Sequence, residues 1–94
     1  MSVRWLAHAL SDLYDIQAYI AQDNPIAARA VRLKIDAAIG LLGERPLLGR
    51  RGRAPGTREL VIPGTPYVAA YKVIDGHPTI LAILHGARRW PDAF

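Results

Sequence analysis

The side chains of this sequence that could bind or transform a charged ligand are mostly basic, and they lie in its second half. Residues 1–43 carry four basic and four acidic side chains, whereas residues 44–94 carry eight basic and four acidic ones and so hold the whole net charge of +4. The eight are Arg45, Arg50, Arg51, Arg53, Arg58, Lys72, Arg88 and Arg89. Arginine captures phosphate and carboxylate groups through two parallel hydrogen bonds. The pattern therefore predicts an anionic partner, either nucleic acid or an acidic protein segment.

Histidine is the other residue type here that could take part in acid–base chemistry. His85 ends an apolar stretch, where it could act as a base or acid or could simply bond locally at the sheet edge. His8, His77 and His85 are dispersed along the chain without metal-ligand spacing, and there is no cysteine. These facts exclude disulfides, thiolate zinc sites and cysteine nucleophiles, and we expect neither a metal ion nor a cofactor.

These side chains must be positioned by one small domain, because 94 residues provide a single core of modest size. Residues 57–86 are predicted to form a meander of three short strands, with turns at Pro63-Gly64 and Asp75-Gly76. Alternation along the first of these strands places Arg58 and Glu59 on opposite faces. The two side chains are therefore not expected to pair, and Arg58 should be available for binding.

The first half of the chain supplies helices that can cover such a sheet. Residues 1–6 alternate like a strand, and residues 8–43 then carry apolar side chains three and four residues apart, as in amphipathic helices. Asn24 and Pro25 divide this segment, since asparagine caps a helix and proline suits the first helical position. The short connection predicts an antiparallel helical hairpin packed on the sheet.

The remaining segments are candidates for contact with a partner. Residues 44–56 contain two prolines, three glycines and four arginines and are predicted to form a basic loop, while residues 87–94 form a tail. The strands are largely apolar on both sides and the helices cover one, so the other face is expected to be partly uncovered, as where a partner protein binds. The sequence shows neither a bilayer-spanning run nor a signal pattern, which predicts a cytoplasmic protein without a membrane partner.

Several motifs taken together resemble one known superfamily. They are the helical hairpin broken at N-P, P-x-x-G-R-x-G-R-x-P-G-T-R-E-L from Pro46, P-Y-V-x-x-Y-K-V from Pro66, and I-L-x-I-L-H-G-A-R-x-W-P from Ile80. In this order, and over almost its whole length, the chain is similar to the RelE/ParE superfamily of toxins from bacterial type II toxin–antitoxin modules. The resemblance implies an α+β fold with an N-terminal strand and a helical hairpin packed on a curved, mainly antiparallel sheet. It also implies a cognate antitoxin, ParD-like or RelB-like, that wraps around the toxin in a hetero-oligomer.

The superfamily contains two activities, and the RelE-like one is metal-independent cleavage of messenger RNA on the ribosome. RelE-like toxins use an arginine before a strand motif, a second arginine after the last strand and often a C-terminal tyrosine or histidine. Here Val68 holds the first position, Arg88 matches the second, and the chain ends in Phe94. Cleavage needs a base for the 2′-hydroxyl and a cation over the developing phosphorane charge, and valine can be neither. The candidates for a rebuilt site are Arg53, Arg58, Lys72, His85 and Arg88.

The ParE-like activity is inhibition of DNA gyrase, with no fixed catalytic set. The missing strand arginine, the L-H-G-A-R motif and the short tail resemble this branch more closely, so we favour a growth-arresting gyrase inhibitor that stabilises plasmids and is not itself an enzyme. The alternatives are a RelE-like ribonuclease and a non-toxic relative that only binds its antitoxin. The residues expected to contact target or antitoxin are Arg50, Arg51, Arg53, Arg58, Tyr67, Tyr71, Lys72, His85, Arg88, Arg89 and Trp90.

Overall fold

The computed structural model describes residues 2–91 and residue 94. The helices and strands are β1 (Arg4–Trp5), α1 (Ala7–Ala21), α2 (Pro25–Gly40), β2 (Arg50–Arg51), β3 (Arg58–Val61), β4 (Tyr67–Ile74) and β5 (His77–His85). A 3-10 turn, Leu41–Gly43, extends the end of α2. Two helices pack on a five-stranded mixed sheet, which confirms the predicted α+β fold.

The two helices form where the sequence pattern places them. The side chain of Asn24 accepts a hydrogen bond from the Ala27 N–H at 3.0 Å, and Pro25 is the first residue of α2. Asparagine satisfies one of the free N–H groups at the helix start, and proline has no N–H to leave unpaired. The predicted break between the helices is therefore confirmed, with its physical cause.

The sheet has the strand order β1-β5-β4-β3-β2. The meander β3–β4–β5 is antiparallel, whereas β1 runs parallel to β5. Asp75 and Gly76 both have positive φ, 51° and 78°, which is the geometry of a two-residue hairpin loop with the twist of the sheet. The sequence pattern does not predict β2, because it lies inside the segment 44–56 that reads as a loop; two consecutive arginines carry no alternation signal.

The main core lies between the helices and one face of the sheet. Leu13 of α1, Ile35 of α2 and Tyr71 of β4 are among its fully buried side chains. A hydrogen bond also ties α1 to the sheet, since a carboxylate oxygen of Asp12 accepts from the Ile83 N–H at 3.0 Å. This bond satisfies a backbone group of β5 beyond the point where the two-residue β1 ends.

The other face of the sheet is covered in part. Val68, Ala70 and Ala82 on this face are buried, and the neighbouring Glu59 is bonded to arginines of the 50–53 segment. Val61 on the same face is 49% exposed, so this face is closed around Glu59 and open toward the end of β3. The segment 44–56, predicted to form a basic loop, folds against the sheet, and its arginines pair there with the buried carboxylate of Glu59.

Candidate partner-binding surfaces

Glu59 anchors the basic segment onto the sheet. Its side chain is only 2% exposed, and its carboxylate lies 3.1 Å from Arg50 Nη2 and 3.7 Å from Arg53 Nε. The same carboxylate accepts a hydrogen bond from the Arg53 backbone N–H at 2.7 Å. A buried carboxylate is tolerated only when it is paired and hydrogen-bonded. Two arginines expected to face a partner are therefore committed, at least in part, to the fold.

Arg53 also connects this segment to the C-terminal tail. Its guanidinium carbon lies 3.8 Å from the ring centroid of Trp90, a cation–π distance. The Trp90 indole N–H donates to the His85 carbonyl at 3.0 Å. Glu59, Arg53, Trp90 and the end of β5 thus form a continuous chain of contacts, which we call the Trp90 clamp.

Arg58 is engaged by the chain itself, contrary to the expectation that it would be available. Its Nη1 donates to the Gly49 carbonyl at 2.8 Å and more weakly to the Leu47 carbonyl at 3.4 Å. Strand alternation correctly separated Arg58 from Glu59, but it gave no information about the loop carbonyls that fold against the strand. The guanidinium therefore supports the segment before β2.

Tyr71 holds the same segment from the core. Its hydroxyl accepts from the Gly49 N–H at 2.8 Å and donates to the Pro46 carbonyl at 2.8 Å. Burial raises the pKa of the Tyr71 phenol above 10.0, opposed in part by the Gly49 hydrogen bond and the Arg58 charge. Because Tyr71 is fully buried, it lies outside any contact surface of the folded chain, which corrects its place among the expected binding residues.

His85 lies at the end of β5 with both local and aromatic contacts. Its ring meets Tyr67 edge to face, with the centroids 5.8 Å apart and the planes at 81°. Its Nδ1 is 3.2 Å from the Ala87 N–H, so Nδ1 acts as an acceptor and the neutral ring carries its proton on Nε2. Of the two roles that the sequence allowed for His85, this hydrogen bond is the local one at the sheet edge. It uses Nδ1, so Nε2 can still contact a ligand.

The five candidate catalytic residues are not brought together, and Arg53 is already paired with Glu59. Tyr67 pairs with His85, whereas Lys72 pairs with Thr79 at the other end of β4. Lys72 lies five positions along the strand from Tyr67, a length of roughly 17 Å. Arg58 pairs with Tyr71 and is bonded to loop carbonyls, so only Arg88 shares a cleft with His85.

That cleft has a volume of about 420 Å³ and lies between α1 and the end of β5. We call it the β5 cleft; its lining includes Asp15, Tyr19, Tyr67, His85, Arg88 and Trp90. Arg89 lies beside Arg88 at its rim, and both are exposed. Within residues 2–91, no carboxylate forms an ion pair with either arginine. The cleft is therefore aromatic in its walls and basic at its edge.

A larger apolar groove of about 690 Å³ lies at the other side of the helical hairpin, between α2 and β3. We call it the β3 groove; its lining includes Lys34, Leu41, Leu48, Arg50 and Val61. Its floor is an open strand edge, because β2 pairs only with Arg58 and Glu59. The Ile62 N–H donates to the Tyr67 carbonyl, so the preceding Val61 directs its own N–H and C=O away from β4. Such an edge can accept an added strand.

The part of the chain that the structure describes contains no group of three or more His, Asp or Glu side chains arranged to hold a metal ion. Over the same residues, neither helix has the length and apolar character that crossing a bilayer requires.

Comparison with known proteins gives a consistent result. Residues 3–90 match the family model described as the ParE toxin of the type II toxin–antitoxin system parDE. The putative toxin Y4kP of Sinorhizobium fredii is 42% identical over 89 residues, covering 95% of this chain and 92% of that protein. Toxin RelE2 of Caulobacter vibrioides is 41% identical over 86 residues, covering 92% and 96%. The chain therefore belongs to the ParE toxin family, within the RelE/ParE superfamily of type II toxins.

A solved structure supports the same assignment at the level of the fold. A chain of the chromosomal ParDE toxin–antitoxin system from P. aeruginosa superposes with a TM-score of 0.80 at 27% identity, over 88% of this chain and 92% of that one. The resemblance inferred from the motifs is thereby confirmed for the family.

The structure divides the expected contact residues into three groups. Arg50, Arg53 and Arg58 bind groups of the chain itself. Arg51 is exposed on β2, and Lys72 is half-buried on β4. The others except Tyr71 line the β5 cleft: Tyr67, His85, Arg88, Arg89 and Trp90.

Sequence reasoning missed Tyr19 and Asp15 of α1 as partners of that cleft, and it missed the β3 groove altogether. Tyr19 is an exposed aromatic on an otherwise amphipathic helix, 70% exposed in the structure. An aromatic residue at a solvent-facing position of an amphipathic helix is the one sequence signal that could have indicated this side of α1.

Proposed function

We propose that this protein is the toxin of a type II toxin–antitoxin module, that it arrests growth in the cytoplasm by inhibiting DNA gyrase, and that a cognate ParD-like antitoxin neutralises it. The observation that carries the choice of target is the separation of Arg58 and Lys72 from the cleft that holds His85 and Arg88. Lys72 lies roughly 17 Å along β4 from the Tyr67–His85 pair. Arg58 is already bonded to the Gly49 carbonyl.

This separation matters because RNA cleavage by a metal-independent toxin needs several groups at one phosphate. A base must take the 2′-hydroxyl proton while a cation stabilises the charge that develops on the phosphorane, both within hydrogen-bond reach. Val68, at the position where the RelE-like resemblance expects an arginine, is buried and uncharged. A toxin that acts by binding a protein needs no such assembly.

The antitoxin part of the proposal is supported by the β3 groove. Stable, long-lived partners bury more apolar surface than transient ones. The groove offers Leu41, Leu48 and Val61 as exposed apolar side chains, together with an open strand edge. We propose that an antitoxin segment occupies this groove in a hetero-oligomer, adding a strand along Val61.

The test uses the purified chain, DNA gyrase and relaxed plasmid. Supercoiling should fall with increasing toxin, and prior mixing with the antitoxin should restore it, while translation of a reporter message in a cell extract stays unaffected. Induction in a host without the antitoxin should arrest growth and trigger the DNA damage response. Unchanged supercoiling at saturating, folded toxin would contradict the proposed target.

The RelE-like activity is the second candidate, because two observations favour it. A relative at 41% identity carries the name Toxin RelE2, and His85 and Arg88 share one cleft. If this candidate is correct, messages are cut in the translating extract, and His85→Ala or Arg88→Ala abolishes the cutting. A chain that affects neither gyrase nor messages, and leaves growth normal, would instead be the non-toxic relative.

A further inference from the structure

We propose that the β5 cleft is the surface that contacts the protein target, and that it takes an acidic segment of that target with an aromatic or apolar side chain entering the cleft. This inference rests on the proposed function and deepens it, since it separates target binding from antitoxin binding. It also reduces the set of arginines that act on the target to two.

The contacts of the arginines in residues 44–94 carry the first step. Arg50, Arg53 and Arg58 are bound to Glu59 or to backbone carbonyls. Arg88 and Arg89 are exposed and have no ion-pair partner within residues 2–91. An arginine already committed to a buried carboxylate must break that contact before it can bind a partner, whereas a free one need not. The arginines of residues 44–94 that remain available to a partner are therefore Arg88 and Arg89 at this rim, together with Arg45 and Arg51.

The lining of the cleft distinguishes Arg88 and Arg89 from Arg45 and Arg51. Besides the guanidinium groups of Arg88 and Arg89, the lining of the β5 cleft includes Ile16, Tyr19, Tyr67 and Trp90. Neither Arg45 nor Arg51 lines this cleft or the apolar β3 groove. Aromatic side chains and arginine are the residues that most often dominate the binding energy of protein interfaces. The β5 cleft thus combines guanidinium groups that have no ion-pair partner within residues 2–91 with apolar burial.

The ring faces favour a protein segment over single-stranded nucleic acid. Bases stack on exposed aromatic faces. One face of Trp90 is covered by Arg53 at 3.8 Å, and Tyr67 is occupied by its contact with His85. Asp15 adds a carboxylate to the cleft wall, which can accept a hydrogen bond from a peptide N–H. Tyr19 is the aromatic side chain of this cleft that is exposed, whereas Tyr67, His85 and Trp90 are half-buried.

The Trp90 clamp keeps this surface in place before a target arrives. Trp90 is held by Arg53 on its ring and by the His85 carbonyl on its indole N–H, so the backbone just before it, which carries Arg88 and Arg89, is restrained. Restraint before binding reduces the entropy lost on binding. The clamp thus positions the two arginines, and its Trp90 ring also forms part of the cleft wall.

The cleft and the groove lie at opposite sides of the helical hairpin, one next to β5 and the other next to β3, with β4 between these strands. Substitutions at the rim of the β5 cleft should therefore affect the target without affecting an antitoxin segment in the β3 groove.

The experiment compares two double charge reversals with the same change in net charge. Arg88→Glu with Arg89→Glu alters the rim of the cleft, and Arg4→Glu with Arg29→Glu alters exposed residues of β1 and α2 as the control. Each protein is assayed for gyrase inhibition, antitoxin affinity, melting temperature and growth arrest on induction. The rim variant should need at least about tenfold more protein for half-inhibition, while its antitoxin affinity and melting temperature stay at wild-type values. The control should inhibit like wild type.

Ionic strength provides a readout that a purely structural role would not change. Salt should weaken inhibition by the wild type and by the control, and it should have less effect on the rim variant, which has lost the attractive charges. Equal inhibition by the rim variant and the wild type would overturn the inference. Loss of antitoxin binding in the rim variant would also overturn it, by assigning the cleft to the antitoxin. So would tight binding of a single-stranded RNA oligonucleotide that the rim variant loses.

Failure of the proposed function gives a different result. A wild type that arrests growth but leaves gyrase active contradicts gyrase as the target, and the growth arrest of the two double variants then decides whether the cleft contacts another protein. If the wild type neither inhibits gyrase nor arrests growth, both proposals are wrong.

Discussion

Replacing Tyr71 by phenylalanine should destabilise the fold far more than the loss of one oxygen suggests. The hydroxyl accepts from the Gly49 N–H and donates to the Pro46 carbonyl, each at 2.8 Å. The phenylalanine ring would fill the same space in the core, so packing is retained. The substitution would, however, leave two backbone groups of the segment before β2 without their partner.

The expected magnitude follows from the burial of those two groups. The bond to Gly49 is buried, and an unsatisfied buried donor costs about 1–3 kcal/mol. The Pro46 carbonyl is only partly buried and can recover part of its bond from water. We therefore expect a loss of about 2–3 kcal/mol in the free energy of unfolding, which corresponds to a fall of roughly 8–24 °C in the melting temperature of a domain this small.

The assay is urea unfolding followed by circular dichroism, with Tyr14→Phe as the matched control. Tyr14 is exposed, and its ring contact with Arg32 does not involve its hydroxyl. The control should change the free energy of unfolding by no more than about 0.5 kcal/mol. If Tyr71→Phe were as stable as the control, the hydroxyl would not be holding the segment before β2, and the stabilising role assigned to its two hydrogen bonds would be refuted.

The same pair of proteins yields a prediction about alkaline pH. The pKa of Tyr71 is raised above 10.0 in the folded chain by burial, so above that pH the unfolded chain releases a proton that the folded chain still holds. Stability from this group is therefore complete below about pH 10 and is lost as the pH rises further. The unfolding midpoint should fall more steeply above pH 10 in the wild type than in Tyr71→Phe, because the variant lacks the buried phenol. Parallel pH profiles would contradict this linkage.

Three further substitutions test other contacts. Gly49→Ala should unfold the segment before β2 or the whole domain, because an added Cβ would lie 2.6 Å from the Tyr71 ring and 2.8 Å from the Glu59 carbonyl oxygen; a normal melting curve would disprove the close approach. Glu59→Gln should lower the free energy of unfolding by about 1–2 kcal/mol, measured by urea unfolding, because the buried side chain loses its ion pairs with two arginines. The cost stays moderate because water can still solvate the two exposed guanidinium groups. No loss of stability would mean that these ion pairs contribute nothing. Asp12→Ala should cost about 1 kcal/mol and accelerate hydrogen exchange at the Ile83 amide, and unchanged exchange there would exclude the bond.

The sequence was sufficient for the elements whose signals are local. The Asn24 cap, the proline at the start of α2 and the Asp75-Gly76 turn each involve residues a few positions apart, and the structure has all three. β2 could not be predicted, because it consists of two residues whose pairing with β3 depends on Glu59 nine positions away. The parallel pairing of β1 with β5 likewise joins the two ends of the chain and leaves no trace in either segment alone.

For the candidate site, residue types were informative but their partners were not. Counting arginines located the excess charge, yet it could not separate Arg58, which is bonded to the Gly49 carbonyl, from Arg88, which has no ion-pair partner among residues 2–91. That distinction depends on where loop carbonyls and a buried carboxylate come to rest after folding. The family could be identified because the motifs compare the types and order of many residues at once. The partner of a single arginine depends instead on one contact that forms only in the folded chain.

The pairing of β1 with β5 has a consequence for folding during translation. Arg4 and Trp5 lie beside Thr79 and Ile80, and the bond from Ile83 to Asp12 spans 71 positions. During translation, the helices emerge long before the last strand that completes their core, so a nascent chain must hold its apolar helical faces unburied until nearly all of it has been made. An incomplete chain therefore lacks both its finished core and the β5 cleft, because Ile80, Ile83 and Trp90 are among the last residues to be made.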